Sequence, residues 1–450
     1  MRTDRRFFSR IGARGAVGAL VSILLICAPA SVAQSPAPLA PNDVSILFPV
    51  PQGDDMSGFI SIADLVDSGG APLMTDLTFK QFIEIAQGKD SKIVDSAGAT
   101  AQIGFPENAK DIKTWFVAGI RIDVGAPGLS ASIMEAFGQI PQIRLILQPV
   151  TREPNGGLKI HDRAAHIIFS FIEKKSQVQE TCLVPMLSRV DPDLQPFRAA
   201  LSDFVVLRDD LAAGRFGGVP IVTTGLLDVH PGLKAPSQKP FRDQLKTILE
   251  KHLKSTQVSA MAVMGIPANG PEPWIFVPMQ RRSDNGNLEA FLSPALDGQA
   301  FEDRAKAQLL RFFGAKKVLP GPRTDNENET MTTCFRLPDA RKGVSTAELI
   351  NAPATAERTI EVTAVIADPK KSHFFNTDCV SCHTETRLLR TKVPGEPIPG
   401  IAEAVLPSSR WNVRNFGWGL DSEGFKPTIT RRTATETDEV VEAANILLNQ

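Results

Sequence analysis

The chain has 450 residues, 42% of them hydrophobic and 22% charged, proportions of an ordinary globular protein and not of a disordered, collagen-like or many-span membrane chain. Its length suggests two or three domains and suffices to bury a core without disulfide staples. With 49 Lys and Arg against 50 Asp and Glu, no global field draws the chain to nucleic acid or anionic lipid. No nucleic-acid partner is therefore expected, and the absence of tyrosine removes the phenol from any catalytic scheme.

Residues 1–33 run from a basic start (Arg2, Arg5, Arg6, Arg10, Arg14) through an apolar stretch, Ala16 to Ala28, to Ser31-Val32-Ala33. This is the three-part layout of a cleavable secretory signal. The apolar stretch falls short of the roughly 20 residues that span a bilayer, so no stable membrane span is expected after cleavage. Cutting there removes five Arg and one Asp and leaves a mildly acidic chain, expected in the periplasm or an equivalent exported compartment. Residues 34–42, rich in Pro and Ala, read as an extended linker.

From residue 43 to about 340, short β-rich runs dominate: Val44 to Phe48, Trp115 to Ile122, Ile143 to Val150, Ala165 to Ile172, Ser259 to Ile266 and Trp274 to Met279. Between them lie segments of helical spacing, carried by Phe79, Phe82, Ile83 and Ala86; by Phe241, Leu245, Ile248 and Leu249; and by Phe301, Ala305, Leu309 and Leu310. An α+β N-terminal body is the expectation. The pair of runs at 115 and 143 is echoed by the pair at 259 and 274, each reading as two strands joined by a connection bearing Gly and Pro. No phosphate loop, Rossmann glycine fingerprint or HExxH zinc site occurs in this body. Residues 341–360, rich in Ala, Thr and Ser, read as a linker, and Glu361 to Ile366 alternates like a strand.

The chemistry is concentrated in Cys379-Val380-Ser381-Cys382-His383, the C-x-x-C-H spacing of covalent c-type haem attachment. Two thiols three positions apart on a helical turn each reach one haem vinyl group, and the adjacent imidazole comes under the iron as its axial ligand. By composition roughly 0.0006 such pentapeptides are expected in the mature chain. A thioredoxin-like redox pair has no need of the histidine, and a structural zinc needs further ligands, for which only the distant Cys182 and Cys334 remain. That cysteine pair is consistent either with a disulfide or with two separate thiols.

Asp368-Pro369 reads as a helix start, and Thr433 with Glu436 has capping-box spacing ahead of an apolar face of Val440, Ala444, Leu447 and Leu448. On these residues the segment 371-KSHFFNTDCVSCHTET and the terminal helix resemble class I c-type cytochromes. The resemblance covers residues 361–450 and implies a small all-α cytochrome c-like haem domain following the α+β body. It implies one covalently bound haem c, with Cys379 and Cys382 as thioether carriers and His383 as iron ligand. It also implies that Arg410, Trp411, Arg414 and Trp418 line the haem crevice, although loop packing and solvated charge account for the same residues. Haem attachment acts on an unfolded, exported chain, so the general secretory route is expected although Arg5-Arg6-Phe7-Phe8 is similar to a twin-arginine signature.

The departure from that family is plain: no Met and no His occurs from Thr384 to Gln450. A sixth iron ligand must come from elsewhere, from His373, from Asn376 or a Lys, or from the body, which offers Met261, Met264, Met279, Met331, His161, His166, His230 and His252. The remaining choice is an open sixth position. The expected function is an exported mono-haem cytochrome passing one electron to or from an unidentified redox partner protein. An open site would instead make it a haem enzyme or a sensor of peroxide or a small gas.

Overall fold

A computed structural model describes residues 38–88, 103–125, 141–172, 193–223, 225–235, 237–265, 275–282, 285–290, 354–372, 379–408 and 412–450. The expected signal segment, the helix around Phe301 to Leu310, and Cys182, Met331, Cys334, His373 and Asn376 lie outside the described residues.

An eight-stranded antiparallel sheet organises the described chain. Its strands are β1 (Ser45–Leu47), β2 (Trp115–Asp123), β3 (Gln142–Arg152), β4 (Leu158–Ile160), β5 (Arg163–Ser170), β6 (Val258–Gly265), β7 (Ile275–Arg281) and β8 (Leu288–Ala290). They lie in the order β1-β2-β3-β5-β6-β7-β8, with β4 also paired to β3. The six runs read as strands fall in β1, β2, β3, β5, β6 and β7. Both echoed pairs, β2 with β3 and β6 with β7, are antiparallel neighbours in this one sheet.

The two faces of the sheet differ in chemistry. Ile120, Leu145, Ile167, Met261 and Met279 stand in register across five strands, and all are buried. Such a row removes a continuous apolar surface from water, at roughly 25 cal/mol per Å² of apolar area. Helix α2 (Asp76–Ala86), started by Thr75 accepting from the Thr78 amide at 3.1 Å, sets Phe79 and Phe82 edge-on against Trp115. Helix α3 (Gln195–Ala212) brings Phe197 onto Phe171, and α4 (Gln238–His252) buries Phe241, Leu245, Ile248 and Leu249. The spacing of the last four is one helical stripe.

The opposite face carries Arg121, Asp123, Gln142, Arg144 and His166 and is covered by the C-terminal segment. That segment holds α5 (Ala356–Ala367), α6 (Cys379–Lys392), a hairpin of β9 (Phe416–Asp421) and β10 (Gly424–Ile429), and α7 (Arg431–Asn449); a further short helix, α1 (Pro41–Val44), precedes β1. Residues Pro38–Gln450 form one compact unit. The expectation of a small all-α haem domain is thus corrected: the fold is mixed α/β, and the C-terminal end contains a β-hairpin laid on the sheet. Phe416 and Trp418 alternate with Gly417 and Gly419, a strand pattern weakened by glycine. Trp418 lies fully buried edge-on to Phe59, and its indole N–H donates to Phe48 O at 3.1 Å.

Two helix boundaries are also corrected. Asp368 ends α5, which begins after Thr355, whose hydroxyl accepts from the Arg358 amide; the expected strand Glu361 to Ile366 lies within this helix, and residues 341–353 of the expected linker lie outside the described residues. Helix α7 starts after Thr430, three residues before the expected cap. No helix among the described residues is long and apolar enough to cross a membrane.

One close approach fixes the hairpin. The bulge in β2 between Val117 and Gly119 turns Gly119 toward Phe416, whose Cε1 stands 2.5 Å from where a Cβ would sit. Gly119→Ala should therefore destabilise the protein by about 1–3 kcal/mol through overpacking. In urea unfolding, trimming the ring as well, with Phe416→Leu, should recover part of the loss. If Gly119→Ala alone costs nothing, the hairpin is not seated there.

Candidate functional site

The motif opens α6, which packs against α5 and α7 and reaches the lead-in of the hairpin through His383. His383 is half-buried, and its Nδ1 stands 2.8 Å from Val413 O. A carbonyl only accepts, so Nδ1 carries the proton and Nε2 carries the lone pair, the tautomer of a metal-ligating imidazole. Burial pushes the His383 pKa down to about 4, helped by the neighbouring cation Arg414. The ring is therefore neutral at physiological pH, as an iron ligand must be. Cys382 is half-buried beside Val362 and Ile366 of α5.

Buried ion pairs hold α7, and through it the motif helix, to the sheet. Glu436 of α7 accepts from Arg121 Nη1 of β2 at 2.8 Å and from Arg432 Nε at 2.6 Å. The same Arg432 donates through Nη1 to Ile366 O at 3.1 Å and to Ser372 O at 2.6 Å, closing the end of α5 and the loop beyond it. At the start of α7, the Arg431 amide donates to Thr386 Oγ1 at 2.8 Å and the Arg432 amide to Glu385 Oε1 at 3.2 Å, so α7 is capped by side chains of α6. A second bridge, Arg414 Nη2 to Asp162 Oδ1 at 2.8 Å, ties the lead-in of β9 to the lead-in of β5.

Charge on this face is only partly balanced. Burial raises Asp123 to about 7 despite Arg121 and Arg144 nearby. Asp123 Oδ2, Gln142 Nε2, Arg144 Nε and Gln148 Oε1 have no hydrogen-bond partner among the described residues. Arg144 pairs in register with Arg121, and burial with that like charge holds it down to about 10, still a cation at neutral pH. Two of these atoms, Gln142 Nε2 and Arg144 Nε, are donors, and with the neutral imidazole they fit a ligand that brings both a metal and carboxylates. The donor set therefore fits haem: two motif cysteines, a neutral imidazole and cationic side chains suited to propionates.

The distal candidates separate cleanly. His161 Nε2 pairs with Thr151 Oγ1 at 2.8 Å, His230 Nδ1 accepts from the Gly232 amide and stacks on Phe241, and His252 Nε2 pairs with Asp203. Met261 and Met279 are buried in the apolar row of the opposite face. His166 lies on the polar face and is half-buried, its charged form disfavoured by burial and by Arg144 and His383. Met264 shares that face two residues along from Ala262, the partner of His166, and is 4% exposed. Strand alternation could have placed His166 and Arg144 on one face; their meeting with His383 depended on the hairpin that sequence reasoning missed. A groove of about 630 Å³ lined by Pro49, Leu158, Phe425 and Lys426, among others, shares no residue with the motif. No protein-family model, curated protein or solved structure matches the chain.

Glu436 is held down to about 2, against 4.5 for a free carboxyl; burial opposes this, and Arg432 and Arg121 overcome it. Its stabilising contribution is present above pH 4.5 and is lost as pH falls toward 2. Glu436→Gln should cost about 3–5 kcal/mol at pH 7, because it leaves two buried cations uncompensated. The deficit, read from urea midpoints, should shrink at pH 3; a deficit independent of pH would contradict the assignment.

Proposed function

We propose that this protein is an exported mono-haem c-type cytochrome that carries one electron between protein partners, with the haem attached at Cys379 and Cys382 and His383 as iron ligand. The observation that carries the reading is the C-x-x-C-H spacing at the start of α6 together with the His383 Nδ1 to Val413 O bond, which presents the lone-pair nitrogen of a neutral ring. When bound, the haem supplies a reversible ferric/ferrous couple.

The chain's own residues do the rest. Cys379 and Cys382 would hold the haem through two thioether bonds, formed by redox-neutral addition of each thiol S–H across one vinyl group. Val413 O orients the imidazole and raises its basicity. Arg144 and Arg121 offer guanidinium donors to carboxylates from the polar face. Electron transfer itself takes one electron from a donor and gives it to an acceptor, with no bond made in the protein. The apparent signal segment and the need for haem maturation both favour an exported location.

Protein exported in a host with c-type maturation should titrate as a single one-electron wave when potential is stepped and the reduced visible bands are followed. Cys379→Ser combined with Cys382→Ser should abolish that wave. A wave that needs two electrons, or one that survives the double substitution, would refute the reading.

A further inference from the structure

The half-open part of the polar sheet face points to a second protein ligand for the iron. Gly119, Ile146, His166 and Ala262 stand in register across β2, β3, β5 and β6. Phe416 covers Gly119, and Ile146 Cγ2 stands 3.4 Å from where a Cβ on Gly417 would sit, so β9 roofs the first two positions of this row. His166 is the next position, just beyond the roof. Along β5, His166, Ile168 and Ser170 are half-buried, whereas Ala165, Ile167 and Phe169 on the other face are buried. Ala260 and Ala262 on β6 are half-buried as well, so the floor beside His166 is built of short apolar side chains.

Two contacts bring the motif to this place. His383 is bonded to Val413 O, and the next residue, Arg414, is bridged to Asp162, four residues before His166 on the same lead-in and strand. We propose that His166 is the sixth ligand to the haem iron, opposite His383, giving a bis-histidine centre in which the sheet supplies the ligand that the segment after the motif lacks. The proposal rests on the haem reading above. It also accounts for the other histidines, since each described one besides His166 and His383 has a ring nitrogen committed to a protein partner within the body. Met264, on the same face but buried opposite Ala164 at the far end of the pairing, is the competing donor.

The test uses the full chain, exported and matured. A denaturing gel stained for covalent haem tests attachment, while ferric and reduced spectra test ligation. Wild type should be haem-positive and low-spin and should not bind carbon monoxide when reduced. His166→Ala should stain equally but become high-spin and bind carbon monoxide, and added imidazole should restore the low-spin spectrum. Met264→Leu should leave the spectra unchanged. Near-infrared magnetic circular dichroism of the wild-type ferric protein distinguishes bis-histidine from histidine–methionine ligation without any substitution, so a variant that fails to fold does not protect the proposal. A haem-positive wild type that is high-spin, a His166→Ala protein that stays low-spin, or a methionine signature would overturn it. A wild type with no covalent haem would instead overturn the reading beneath it, and this proposal with it.

Discussion

The carboxylate of Glu436, shared between Arg121 of the sheet and Arg432 of the terminal helix, is the contact through which the motif helix is held in place. Its strength comes from geometry: two cations and one anion lie out of water, and Nη1 of Arg432 is used on two backbone carbonyls, one at the end of α5 and one in the loop after it. Pairs of this kind add little net stability over apolar packing, but breaking one is costly because it strands charge. That asymmetry makes the network a positional device. It specifies which turn of α7 meets which residue of β2, and through the amides of Arg431 and Arg432 it positions α6 as well.

The contrast between the two sheet faces follows from what each must bury. One face is a continuous apolar row beneath helices, satisfied by packing alone. The other holds arginines, an aspartate whose carboxyl burial raises to about 7, and a histidine, an arrangement that protein groups only partly neutralise. A buried polar face with orphaned donors is expensive unless a ligand completes it. A macrocycle bearing carboxylates and a metal supplies apolar area, acceptors for guanidinium groups and a site for neutral imidazoles, so one group answers all three demands. The small side chains at Ala260 and Ala262 belong to the same economy of space.

The strands were legible because runs such as Trp115 to Ile122 are apolar on both faces and too short for helices, and the motif was legible because a C-x-x-C-H spacing is so improbable by composition. The hairpin was not, since Gly417 and Gly419 remove half of its alternation and Trp418 reads equally well as a crevice residue. Helix α5 was hidden for a related reason: Thr359, Val362, Thr363 and Ile366 form its buried stripe, and β-branched residues at those positions mimic a strand. His166 could not be distinguished from the other histidines of the body by sequence, because what distinguishes it is the segment folded over the sheet more than two hundred residues later.

The intact mass of the mature, exported chain tests the central claim, covalent haem at Cys379 and Cys382 beneath a sheet that completes its coordination, most directly. The account predicts a single species heavier than the polypeptide by one haem, with neither motif thiol open to alkylation after denaturation. A polypeptide mass alone, with both thiols alkylated, from a host that matures other c-type cytochromes, would contradict it.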